Sequence, residues 1–124
     1  MVLHLPPNQT KEMGYKFKFK ITDDTKLENA LSALEDLGKA NITEIPFNHI
    51  CKILEFIGAE LQKNTTGSQK RFYHPDCPTF GGYFGVHIIH KGKDDVSVAK
   101  QNFKTYILPR AREIIEILIE RRKA

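Results

Sequence analysis

Cysteine is scarce in this chain. Cys51 and Cys77 are the only two, too few for a disulfide framework, and Cys51 falls on the apolar face of an expected helix, where a small core residue is the ordinary role. Long apolar runs are missing as well. No stretch approaches the roughly 18 residues that a membrane span needs. The opening MVLHLPPNQTKEMG lacks a basic segment followed by an apolar one, so no secretory signal and no membrane partner is expected, and the reading is cytoplasmic. Cys-x-x-Cys and His-x-x-x-His pairs are also absent. A zinc site built from His74, Cys77, His87 and His90 would therefore lack the usual ligand spacing, and no metal or cofactor is expected.

What is present fits one globular domain. The 124 residues are 40% hydrophobic and 27% charged, enough to bury a core without staples. A net charge of +4 and a pI of about 9.1 favour a polyanionic partner.

Residues 1–14 hold no periodicity and include Pro6 and Pro7, so they read as an arm. In Tyr15–Ile21, aromatic or aliphatic residues alternate with Lys16, Lys18 and Lys20. This is a strand with one apolar and one basic face. Its lysines either touch phosphates or guard an exposed edge against self-association. Thr25 and Glu28 have capping-box spacing, and Leu27, Ala30, Leu31, Leu34 and Leu37 recur at helical spacing up to Gly38, which predicts a first helix. Pro46 is placed as the first residue of a second, with the stripe Phe47, Ile50, Cys51, Leu54 and Ile57 and a stop at Gly58.

Ala59–Asn64 and Gln69–His74 flank Thr65-Thr66-Gly67-Ser68, whose glycine and hydroxyl residues form turns, so these segments read as a hairpin. After the loop Pro75–Gly82, the aromatic and β-branched run Tyr83–His90 predicts a third strand closed by Gly92. Ile107, Ala111, Ile114, Ile115, Leu118 and Ile119 mark a last helix that Pro109 should start or kink. From residue 46 the order is helix, three strands, helix. The class is α+β, an antiparallel three-stranded sheet with helices on one side, extended by the N-terminal strand and helix of residues 1–41 packed on the domain of residues 42–124.

Several segments together resemble the HicA family of bacterial toxins: Thr43-Glu44-Ile45-Pro46-Phe47, the helix end Leu54-Glu55-Phe56-Ile57-Gly58-Ala59-Glu60, then Gly67-Ser68-Gln69-Lys70-Arg71-Phe72-Tyr73-His74-Pro75, and Val86-His87-Ile88-Ile89-His90-Lys91-Gly92-Lys93. The resemblance spans roughly residues 42–119. It implies a double-stranded-RNA-binding-like (dsRBD-like) fold that binds and cleaves messenger RNA as an endoribonuclease and is held silent by a HicB-type antitoxin. In such toxins a histidine commonly follows the Gly-Ser pair and acts in the cleavage. Gln69 stands there in this chain, and an amide hydrogen-bonds but neither takes nor gives a proton near neutral pH. The same scaffold without cleavage, an RNA-binding or protein-interaction module, is the alternative this departure raises.

Metal-independent RNA cleavage needs a base for the 2′-hydroxyl, an acid for the leaving oxygen and cations for the phosphate. Imidazole suits both proton roles. His74, His87 and His90 lie on or beside the strands; His90, which the resemblance aligns with the family's histidine at the end of the last strand, is the first catalytic candidate and His74 the second. Gly67, Ser68, Gln69, Lys70, Arg71, Lys91 and Lys93 are the expected RNA-binding set. The cations Arg110, Arg112, Arg121, Arg122 and Lys123 alternate with Glu113, Glu116 and Glu120 and read as a salt-bridged helix face. Phe72, Tyr73, Tyr83 and Phe84 either fill the core, the commoner use of strand aromatics, or stack on bases.

Overall fold

The computed structural model describes residues 26–63, 67–92 and 95–123. The expected strand Tyr15–Ile21 and the capping residue Thr25 lie outside them. Helix α1 (Leu27–Lys39) buries Ala30, Leu34 and Leu37 along one face and carries Glu28 in its first turn and Lys39 in its last, the charge order that the helix dipole favours. Gly38 does not stop this helix as its sequence position suggests. It lies inside the last turn, where an added Cβ would meet Leu108 and Lys104 side-chain carbons at 3.4 Å, near ordinary van der Waals contact.

Strand β1 (Glu44–Pro46) leads directly into helix α2 (Phe47–Phe56). Pro46, expected as the first helical residue, instead ends the strand with φ −55° and ψ 131°, since its ring fixes φ but leaves ψ free to be extended. At the far end of α2 the Gly58 amide donates to Glu55 O and the Ala59 amide to Leu54 O. These two bonds make a Schellman cap, and Gly58 adopts the positive φ of 98° that this cap requires.

Strands β2 (Glu60–Leu61), β3 (Gln69–Tyr73) and β4 (Tyr83–His87) form an antiparallel sheet in that order. The run Tyr83–His90, expected as one strand, is divided at Ile88. There the amide still donates to Ser68 O at 2.7 Å, but β5 (Ile89–His90) pairs with β6 (Val96–Ala99), which pairs in turn with β1. The molecule therefore has two antiparallel three-stranded sheets where the sequence suggested one. The second is assembled from strands of two to four residues, each too short to display a period of its own.

After β6 a helical turn (Lys100–Asn102) and a π turn (Phe103–Ile107) precede helix α3 (Leu108–Lys123). The Leu108 amide donates to Phe103 O, five residues back. Pro109, which has no amide hydrogen and whose ring crowds the carbonyl four residues earlier, follows at once, and the wider turn accommodates it. Leu34 and Leu37 of α1, Ile50 and Leu54 of α2, Phe72 of β3 and Ile114 of α3 share a single buried cluster, so α1 belongs to the same core as the sheets. Ion pairs Arg112–Glu35 and Arg122–Glu28 also join α3 to α1. Among the described residues no helix is long and apolar enough to cross a membrane.

Candidate nucleic-acid interface

The pleat of β3 and β4 sorts their side chains onto two faces. Phe72 and Phe84 turn inward, their rings stacked with centroids 5.6 Å apart, and Phe47 packs on Phe72 from α2. Tyr73 and Tyr83 turn outward and meet at 4.9 Å. The four aromatic residues are thus divided evenly between core and surface. The register sets Gln69 opposite His87, Arg71 opposite Gly85 and Tyr73 opposite Tyr83, all on the outward face.

Two glycines shape this face. A Cβ at Gly85 would lie 2.5 Å from the Lys70 carbonyl oxygen, and one at Gly82, where φ is 97°, would lie 2.7 Å from the Tyr73 ring. Neither position admits a side chain, so the Tyr73 ring lies against backbone at Gly82 and the surface beside Arg71 is flat. The Arg71 guanidinium sits over the Tyr83 ring, 5.2 Å from its centroid, in a cation–π arrangement.

Arg71 differs from the other described arginines. Arg110 pairs with Glu113, Arg112 with Glu35, Arg121 with Asp76 and Arg122 with Glu28. The expectation of a salt-bridged face on the last helix agrees with this arrangement. Arg71 alone among the described arginines forms no ion pair with a described carboxylate, and it is exposed.

The histidines separate by environment. His74 is 3% exposed; its Nε2 donates to Ile57 O at 2.8 Å and its Nδ1 accepts the Asp76 amide at 3.0 Å. Those two bonds use Nε2 as donor and Nδ1 as acceptor. His74 thereby satisfies an orphan carbonyl at the end of α2 and holds the start of the Pro75–Gly82 loop. His87 is exposed at the end of β4, with Nδ1 3.5 Å from Ser68 Oγ. His90 is exposed on β5, in the second sheet. These positions, with Cys77, do not gather into a metal-holding group among the described residues.

The expected RNA-binding residues are likewise distributed. Gly67, with φ 62°, and Ser68 form the turn entering β3, and Gln69 and Arg71 lie outward beyond it. Lys70 is half-buried on the opposite face. Lys91 pairs with Glu44, which also accepts the Ser97 hydroxyl at 3.1 Å, and so belongs to the second sheet. Lys93 lies outside the described residues. Sequence reasoning passed over His87 and left Tyr83 undecided; their period-two relation was visible, but their partners across the sheet depend on a register that the loop between β3 and β4 conceals.

Cys51 has no nucleophilic character, because burial, aided by the nearby Glu55, pushes its thiol up to about 12. Compared with protein-family models, curated proteins and solved structures, the chain gives no match.

Proposed function

We propose that this chain is a HicA-type toxin domain that binds and cleaves messenger RNA on the outward face of the β2–β3–β4 sheet and is restrained by a HicB-type antitoxin. The observation that carries the reading is the cross-strand pair of Gln69 and His87, with Ser68 beside the imidazole and the carboxylate-free Arg71 two residues along β3. The order of α2, three strands and α3 supports a dsRBD-like core, to which the second sheet and α1 are additions.

In this reading the 2′-hydroxyl attacks phosphorus, its proton passes to an imidazole, and the departing 5′-oxygen receives a proton in turn. His87 is the histidine best placed to serve where Gln69 cannot, with Ser68 orienting the ring and Arg71 offsetting charge on the phosphate. His90, the first candidate from the sequence, lies on β5 in the second sheet and stands second in this reading. His74, with both nitrogens engaged in the interior, is assigned to the fold.

The burial of His74 and the amide of Gln69 also favour a second reading, an RNA-binding module without cleavage. Incubation of the full chain with messenger RNA in the presence of chelator, resolved on a denaturing gel, separates the two. Cleavage that is lost in His87→Ala or His90→Ala supports the nuclease and names its proton carrier. Intact RNA that is retarded on a native gel supports the binding module, and Gln69→His then tests whether a proton carrier is all that is lacking. RNA neither cut nor retarded overturns both readings.

A further inference from the structure

Tyr73, Tyr83 and Arg71 form a layered group on the outward face, two rings in tilted contact and a guanidinium lying over one of them. We propose that this group is a stacking subsite for an unpaired RNA base, which makes the interface selective for single-stranded over duplex RNA. The inference rests on the RNA reading above and adds the form of the nucleic acid and the residues that select it.

Three independent features support it. Tyr83 is 42% exposed although it is a large aromatic residue on a strand, while its neighbours in sequence, Gly82 and Phe84, are buried. The only described arginine without a described carboxylate partner is the one over this ring, so its guanidinium is not committed to an ion pair there. Finally, the surface beside the group is bare backbone at Gly85, where even a methyl group would collide with the Lys70 carbonyl.

The chemistry of the ligand follows. A duplex hides the flat faces of its bases within the helical stack and offers a protein its phosphates, 2′-hydroxyls and groove edges. An unpaired base offers its π-face, and aromatic rings and arginine planes are the protein groups that take it. A base laid on the outer side of the Arg71 guanidinium continues the stack begun by Tyr83. The edge of Arg71 then reaches the adjoining phosphate, while Gln69 and His87 stand along the same face for hydrogen bonds to a neighbouring nucleotide. Glu60, opposite Tyr73 at the β2 margin, places a negative charge there and directs the phosphate backbone toward the β4 side.

The experiment measures equilibrium binding of the full chain to three fluorescein-labelled probes: a single-stranded RNA of mixed sequence, the same strand annealed to its complement, and a ribose-phosphate strand of equal length without bases. The single strand should bind at least about tenfold tighter than either of the others. Tyr83→Leu should weaken it by about tenfold or more and Tyr83→Phe should restore it. Arg71→Lys, which keeps the charge but loses the plane, should also weaken it. Quenching of 2-aminopurine placed in the strand should accompany binding to the wild type and be absent with Tyr83→Leu. Circular dichroism melts check that these surface variants fold. Duplex binding equal to that of the single strand, or undiminished affinity in Tyr83→Leu and Arg71→Lys, overturns the stacking subsite and leaves RNA binding in place. Failure of all three probes to bind at low salt overturns the subsite and the RNA reading together.

Discussion

Replacing His74 by alanine would leave the buried Ile57 carbonyl without its donor and the part-buried Asp76 amide without its acceptor, and open a void where the imidazole packs beside Gly58. Unsatisfied buried groups and lost packing together imply a stability loss of about 2–4 kcal/mol. Urea denaturation of His74→Ala should register it; a loss below about 0.5 kcal/mol would refute the structural assignment. His87→Ala, on an exposed position, should leave the melting curve unchanged and, on the proposed function, alter RNA cleavage. The contrast reverses the order the sequence suggested, in which His74 was a catalytic candidate and His87 was not, because what distinguishes them is the partner each ring nitrogen finds and how far each is from water.

Among the elements, β3 and β4 determine the interface, and Gly85 determines how closely they approach. Gly85→Ala should cost about 1–3 kcal/mol through overpacking against the Lys70 carbonyl. On the proposed function it should also weaken RNA binding out of proportion to the loss of fold, since Arg71 and Tyr83 are displaced with the strand; unchanged stability in a thermal melt would contradict the close approach. The β2–β3 hairpin was readable because a Gly-Ser turn separates two short runs. The helices α1 and α2 were readable from their apolar stripes. The second sheet was not: Glu44–Pro46 contains a proline that suggests a helix start, and Val96–Ala99 adjoins a long helical pattern that draws the eye past it. The outward face was half legible. Alternation places Gln69 and Arg71 on one side of their strand, but only the observed register brings His87 and Tyr83 to them.

Over the whole molecule, the basic C-terminal helix is anchored at its end by Arg121, whose two terminal nitrogens contact both oxygens of Asp76 at 2.9 and 2.6 Å. These bonds hold the Asp76 carboxyl below its ordinary value, against the partial desolvation that would raise it. A carboxyl whose folded pKa is lowered contributes stability at pH values above its unfolded pKa and loses that contribution as the pH falls through the folded one. Asp76→Asn should therefore melt below the wild type at neutral pH, and the gap should narrow as the pH falls below the ordinary carboxylate range. A gap of constant size over that fall would place its origin elsewhere.

The strand that changes sheets at Ile88 also governs how this sequence can diverge. Residues 83–90 serve one sheet with their first half and the other with their second, so a single insertion or deletion between them would reverse inside and outside in one sheet whichever side it fell on. Substitutions at Arg71, Tyr83 or His87 can alter what the surface binds without that penalty. Descendants of this chain should thus exchange Arg71, Tyr83 and His87 more readily than Gly82 or Gly85, while keeping the count from Tyr83 to His90 constant.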